Sequence, residues 1–152
     1  MPPAAKTIGN YVNSSLAKVE ALKAGYDEAI MLAPNGLVAE CTGENIFVVR
    51  HGKVLTPPLS AGALEGITQN SVMTIARDLG HDVRVDNIAR SDLYIAEEIF
   101  VCGTAAEVGS VRSVDEREVP CPGPITRAVA ATYGRAVRGQ EKKYAHWCEL
   151  AK

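Results

Sequence analysis

The sequence predicts a single α+β domain in which strands outnumber helices. Apolar residues recur at helical spacing in three separate segments, and short apolar runs bounded by turn residues lie between them. The length of 152 residues suits one domain with its own core. No repeats, low-complexity tracts or linkers divide the chain. We therefore expect residues 1–152 to form one domain.

The first predicted helix covers residues 8–24. Its apolar residues recur every three or four positions, and Gly25 provides a stop. These residues are Ile8, Val12, Leu16, Val19 and Leu22. The period then changes, and turns at 34–36 and 51–52 separate short apolar runs typical of an antiparallel meander. The predicted strands are 29–32, 37–39, 46–49 and 54–55.

A second helix is predicted from Thr68 to Gly80, with Val72, Ile75, Ala76 and Leu79 on one face. After it we expect strands and turns as far as a polar segment. The strands are 82–88, 98–102 and 108–114, and the turns are 91–94 and 115–118. Pro124 suits the first position of a final helix that ends near Gly139. Its apolar residues are Ile125, Val129, Tyr133 and Val137.

Composition excludes several classes of partner. Hydrophobic residues make up 47% of the chain and charged residues 22%, and the formal net charge is −2. Such a charge supplies no broad field for nucleic acid or an anionic membrane. We expect a cytosolic protein, because no leader pattern or long apolar segment is present. Four scattered cysteines predict free thiols rather than a zinc site or disulfides.

Four short motifs carry residues suited to chemistry. Lys6 and Tyr11 lie near the start, and Glu40 follows Lys6 by 34 residues, just before Gly43-Glu44-Asn45. A primary amine can form an imine with an aldehyde, and a phenol and a carboxylate can supply a hydrogen bond and a charge to a ligand. Taken alone, each of these side chains could have a structural role instead of a chemical one. Lys6 could be a surface lysine, Tyr11 a half-buried core phenol, and Glu44 a competitor for Glu40 that instead bonds turn amides.

The other two motifs suit anions. Gly66-Ile67-Thr68 opens the second helix, where unpaired amides and a hydroxyl favour phosphate, although Thr68 could simply cap the helix. Gly103-Thr104-Ala105 follows a strand, where small residues let backbone amides approach a ligand. A tight bend is the alternative there.

Together these motifs, in this order, resemble the class IV (fold type IV) pyridoxal phosphate-dependent aminotransferases, most closely the bacterial branched-chain amino acid enzymes. The resemblance runs from Lys6 to Trp147 and implies the strand-rich, barrel-like large domain of the D-amino acid aminotransferase-like fold, with surrounding helices. It implies that Lys6 is catalytic and forms the aldimine with pyridoxal 5'-phosphate. It also assigns cofactor contacts to Tyr11, Glu40, Leu64, Ile67, Thr68 and Thr104, and substrate contacts to Thr104 and Ala105. No metal is implied.

The resemblance further implies transamination between Leu, Ile or Val and 2-oxoglutarate in a homodimer or larger homo-oligomer. In this reading the chain is the carboxy-terminal, cofactor-binding domain, and the amino-terminal half, with an arginine for the cofactor phosphate and much of the pocket, is absent. D-amino acid aminotransferase and aminodeoxychorismate lyase share the fold and stay open, as does a non-catalytic fragment or oligomerisation module. Cys41 and Cys102 would lie near the pocket, so thiol oxidation is a further hypothesis.

Overall fold

The computed structural model describes residues 5–149 and confirms a strand-rich mixture of helices and strands. Its α-helices are α1 (Tyr11–Lys23), α2 (Ile67–Asp78), α3 (Arg90–Leu93) and α4 (Pro124–Ala136). Its strands are β1 (Ile30–Leu32), β2 (Val38–Cys41), β3 (Asn45–Arg50), β4 (Lys53–Thr56), β5 (Asp82–Val85), β6 (Glu98–Gly103), β7 (Glu107–Ser110), β8 (Ser113–Val114) and β9 (Arg117–Glu118). Short 3-10 helices cover Ile8–Asn10, Leu59–Ala61 and Lys142–Trp147.

A five-stranded sheet in the order β5-β4-β3-β6-β7 organises the domain. β4 and β5 are parallel and are connected through α2, whereas the other neighbours are antiparallel. The ribbons β1-β2 and β8-β9 form separate two-stranded sheets. The expected barrel-like closure is not confirmed, because β5 and β7 form two separate edges of the sheet within the described part of the chain.

The sheet carries a core on each face. Along β3, Phe47 and Val49 join the cluster that includes α2 and α4, whereas Ile46 and Val48 join the opposite cluster with β2 and α3. Phe47 stacks on Phe100 of β6 with ring centroids 4.8 Å apart. Each fully buried large apolar side chain contributes about 1.5–3 kcal/mol. The central strands therefore form a rigid base for the loops at their ends.

The start of α4 is fixed to this sheet by a buried carboxylate. Glu98 of β6 accepts hydrogen bonds from the N–H groups of Ile125 and Thr126 and from the Thr126 hydroxyl. Pro124 occupies the first turn of the helix, as predicted. A Cβ on Gly123 would lie 2.0 Å from Cδ of Glu98, so this close approach requires glycine.

Three sequence expectations in the second half of the chain need correction. Residues 108–114 form two strands rather than one, since the chain leaves the main sheet after Ser110 and pairs β8 with β9. The turn between these strands is short, because Asp115 and Glu116 both adopt positive φ. The strand predicted at 82–88 ends at Val85. The turn predicted at 91–94 contains α3, where the Asp92 carboxylate accepts the Ala89 N–H.

The first helix is present where predicted, but its apolar residues point to solvent. The exposed fractions are Ile8 90%, Val12 60%, Leu16 67%, Val19 49% and Leu22 55%. The half-buried residues instead include Tyr11, Ser14 and Ala17. Periodicity detects an apolar face but does not say what covers it. Among the described residues, no helix is both long and apolar enough to cross a membrane.

Candidate active site

A cavity of about 200 Å³ lies where the segment before α1, the start of α1, β2 and the loop before α2 meet. Four predicted site residues line it: Lys6, Tyr11, Glu40 and Leu64. The remaining lining residues are Ala5, Asn10, Ser14 and Gly62. An amine, a phenol and a carboxylate distant in sequence therefore share one pocket.

Lys6 lies in irregular backbone before the first helical turn, as the five-residue spacing from Tyr11 predicts. Two hydrogen bonds to the Ala5 carbonyl hold this segment, one from Nδ2 of Asn10 at 2.8 Å and one from the Thr7 N–H at 2.7 Å. The Lys6 side chain is exposed. Its amine is therefore carried by a locally ordered segment and is open to a ligand.

Tyr11 is the first residue of α1, and Ser14 follows it on the same helical face. Both are half-buried and both line the cavity. Sequence reasoning missed Ser14, although its three-residue spacing from Tyr11 could have identified it. Asn10, Ala5 and Gly62 were also missed, because their places depend on how separate loops meet.

Glu40 lies in β2 and is half-buried. Burial raises the pKa of its carboxyl group, and a hydrogen bond from the Leu64 N–H to Oε2, 2.8 Å long, partly opposes this rise. Within residues 5–149, no hydrogen bond to Oε1 is found. The carboxylate is thus fixed through one oxygen, and the other can meet a ligand.

Glu44, the competing carboxylate, does not line this cavity. Its Oε2 accepts the Gly43 N–H at 3.3 Å, in agreement with the expected bonding to turn amides. Burial raises the pKa of Glu44, and the nearby Glu28 carboxylate raises it further. The placement of the two residues supports the preference for Glu40.

Glu28 anchors the turn that follows β2. Its Oε1 accepts hydrogen bonds from both the N–H and the hydroxyl of Thr42, and its Oε2 pairs with the Lys18 amine at 2.7 Å. Burial opposes ionisation of Glu28, but the bonds from Lys18 and Thr42 outweigh it and lower its pKa. This network ties α1 to the end of β2, and so connects the elements that carry Tyr11 and Glu40.

The start of α2 adjoins the loop that contributes Leu64. Gly66 precedes the helix and supplies no side-chain cap, so the first amides of α2 have no partner from a capping side chain. Thr68 is the second helical residue rather than the cap, and it is buried, whereas Ile67 is 87% exposed. Neither lines the cavity itself.

Thr104 and Ala105 lie in the exposed turn between β6 and β7. They do not line the cavity in this chain. Gly103 lies beside the turn after β2, since a Cβ there would be 3.4 Å from the Gly43 carbonyl oxygen. The two turns therefore adjoin, although the predicted contacts of Thr104 and Ala105 with a ligand stay predictions.

Cys41 of β2 and Cys102 of β6 are both buried and carry free thiols. Burial raises the pKa of both thiols, that of Cys102 to about 12. Because thiolates rather than thiols react readily, this environment disfavours the oxidation hypothesis. Among the described residues, no group of three or more His, Cys, Asp or Glu side chains is placed to hold a metal ion.

The sequence profile of the amino-transferase class IV family matches residues 1–114. The match covers most of the chain and includes Lys6, Tyr11, Glu40 and Leu64, which line the cavity. This chain belongs to the class IV aminotransferases.

Within that family, its relatives include branched-chain enzymes. A probable branched-chain-amino-acid aminotransferase of Aquifex aeolicus is 48% identical over 150 residues, which are 97% of this chain and 48% of that protein. The branched-chain-amino-acid aminotransferase of Escherichia coli K12 is 40% identical over 152 residues, 98% of this chain and 49% of that protein. The chain thus spans about half the length of the curated relatives it matches.

Solved structures agree in fold. A branched-chain aminotransferase of Thermoproteus uzoniensis, crystallised with norvaline, has a TM-score of 0.94 and 51% identity, covering 97% of this chain and 49% of that one. A second branched-chain amino acid aminotransferase, from T.th. and in complex with N-(5'-phosphopyridoxyl)-L-glutamate, has a TM-score of 0.93 and 46% identity, covering 97% and 50%. The Thermobaculum terrenum enzyme in its pyridoxal phosphate form has a TM-score of 0.94 and 43% identity, covering 97% and 49%.

Proposed function

We propose that this chain is the cofactor-binding half of a pyridoxal phosphate-dependent enzyme that transfers amino groups between branched-chain L-amino acids and 2-oxoglutarate. The amino donors are Leu, Ile and Val. The observation that carries the proposal is the convergence of Lys6, Tyr11 and Glu40 on one cavity. The branched-chain relatives support the substrate class.

The residues of the cavity fit pyridoxal phosphate. Lys6 offers an exposed primary amine, and Glu40 offers a fixed carboxylate with one oxygen open to a ligand among the described residues. The uncapped amides at the start of α2 suit a phosphate. When bound, the cofactor supplies an aldehyde that takes up amines and a ring that accepts electrons from the substrate Cα.

Lys6 has two tasks in this proposal. Its amine would hold the bound cofactor, and as a free amine it would carry a proton from the substrate Cα to the cofactor C4′. A neutral amine is required for that transfer. The segment that carries Lys6 is tied to the start of α1 by the bond from Asn10 to the Ala5 carbonyl.

Glu40 holds a proton on the pyridine nitrogen in this proposal. Half-burial strengthens the interaction of its carboxylate with a cationic ring, because water screens the charges less there. Tyr11 donates its phenol hydrogen to the ring oxygen and so orients the ring. Leu64, Ile67, Thr68 and Thr104 complete the cofactor contacts, and Thr104 and Ala105 bind the substrate carboxylate.

The whole enzyme requires more than this chain in our proposal. The cavity is small and open, and the side chain of Ile8 and the apolar side chains of α1 from Val12 to Leu22 are exposed. Since relatives are about twice as long, we propose that an amino-terminal half closes the pocket, supplies an arginine for the phosphate and excludes water. Assembly into a homodimer or larger homo-oligomer and a cytoplasmic location belong to the same proposal.

Two other activities on the same fold, D-amino acid transamination and aminodeoxychorismate cleavage, use the same cofactor. The exposed face of α1 favours a different alternative, a non-catalytic chain that serves assembly.

The three alternatives and the proposed activity can be compared by joining the amino-terminal half of the Aquifex aeolicus relative ahead of residue 1. We expect transamination of L-leucine with 2-oxoglutarate. Activity confined to D-alanine would overturn the substrate class, and assembly without bound cofactor or any activity would favour the non-catalytic alternative.

A further inference from the structure

Asn45 is a buried polar residue at the start of β3, next to the site but outside the cavity. It is 7% exposed and pairs in register with Cys102 of β6, so its backbone is fixed by the central sheet. Its side-chain Nδ2 donates a 2.8 Å hydrogen bond to the carbonyl of Leu64, nineteen residues along the chain. A rigid strand thereby holds a loop that has no helix or strand structure at residues 63–66.

Leu64 is held from both sides. Its carbonyl oxygen accepts the bond from Asn45, and its N–H donates to Oε2 of Glu40 at 2.8 Å. These two bonds lie on the peptide groups before and after a single Cα. Fixing one peptide restricts the orientation of the other, because only φ and ψ of Leu64 separate them.

Gly66 confirms that the loop is packed tightly on Asn45. A Cβ at Gly66 would lie 2.2 Å from Oδ1 of Asn45 and 3.3 Å from Cβ of Gln69. A side chain at this position would force Asn45 or the loop to shift. The φ of Gly66 is −86°, so close approach rather than backbone conformation requires the glycine.

We propose that Asn45 is a positioning residue, which holds the 64–66 segment so that the Leu64 N–H orients the Glu40 carboxylate in the pocket. The catalytic importance of Asn45 rests on the function proposed above. Its effect on Leu64 and Glu40 does not depend on the cofactor. The Leu64 hydrogen bond favours the charged form of Glu40, whereas burial disfavours it. Loss of the bond therefore leaves Glu40 more readily protonated and less able to hold a proton on a bound ring.

The test uses the 152-residue chain with Asn45→Ala and a matched control. Thr126→Val also removes one buried side-chain hydrogen bond, that to Glu98, but at the start of α4. Amide hydrogen exchange of Leu64 and the carboxyl titration of Glu40 are measured by NMR without cofactor. We expect Asn45→Ala to speed exchange at Leu64 about tenfold or more and to raise the Glu40 pKa, and Thr126→Val to do neither.

If Asn45→Ala does not fold, Asn45→Leu replaces it, since leucine has nearly the same shape as asparagine but no N–H to donate to the Leu64 carbonyl. The proposal is overturned if Leu64 exchange and the Glu40 titration stay unchanged in the folded variant, or change equally in Thr126→Val. Both measurements are independent of pyridoxal phosphate. A failure to bind cofactor would therefore count against the proposed function alone, and unchanged NMR parameters would count against the positioning role alone.

Discussion

Lys6 and Glu40 line the same cavity, although one lies in the segment before α1 and the other in β2. The link between these elements runs through Lys18 of α1, which pairs with Glu28, and through Glu28, which bonds Thr42 just after β2. The amine and the carboxylate are thus brought together by contacts outside the cavity. Because both groups line one cavity, they can contact the same cofactor.

Replacing Glu40 with Gln in the enzyme completed by an amino-terminal half should leave the cofactor bound but slow proton abstraction. A neutral amide cannot stabilise a protonated ring nitrogen as a carboxylate does, and the loss of one preorganised electrostatic group costs roughly 100- to 1000-fold in rate. Single-turnover reaction with L-leucine measures this step. Glu44→Gln is the matched control, and a larger loss from that change would show that we chose the wrong carboxylate.

Adding the amino-terminal half should strengthen cofactor binding by the chain. A charge-assisted hydrogen bond contributes roughly 1.5–3 kcal/mol, so one arginine on the phosphate corresponds to an affinity gain of about 10- to 150-fold. Spectral titration with pyridoxal phosphate, with and without that half, checks the gain. Equal affinity, together with full L-leucine activity of the short chain, would refute the claim that the site is incomplete.

Cys121 should react first with a thiol reagent, before Cys41 and Cys102. Cys121 is exposed, whereas the other two thiols are buried and have raised pKa values, so their thiolate fraction at neutral pH is very small. Timed alkylation followed by peptide mass spectrometry gives the order. If Cys41 or Cys102 is modified as fast as Cys121 in the folded chain, the hypothesis that thiols near the pocket are sensitive to oxidation is supported after all.

The sequence predicted much of the fold because strand and helix periods are local properties. The helix beginning at Pro124 and the short apolar run that forms β3 are examples. It could not predict that Leu16 and Val19 face solvent, since that depends on what packs against α1. The two strands within 108–114 were missed because the pairing of β8 with β9 depends on a turn at Asp115 and Glu116 with positive φ.

The candidate site was predicted less completely than the fold. Motif resemblance singled out Lys6, Tyr11, Glu40 and Leu64, and these converge. Asn45 was part of a quoted motif, but no role was predicted for it. Its bond to Leu64 connects a strand to a loop nineteen residues away. Spacing along the chain carries no information about such a contact.

Covalent trapping shows whether Lys6 is the lysine that binds the cofactor. The chain, saturated with pyridoxal phosphate, is reduced with borohydride and digested, and the peptides are analysed by mass spectrometry. We expect the added cofactor mass on Lys6, its loss in Lys6→Ala, and its retention in the control Lys23→Ala, which changes a lysine in the last turn of α1. Cofactor mass on other lysines with none on Lys6, or a comparable adduct and transamination after Lys6→Ala in the completed enzyme, would contradict the account.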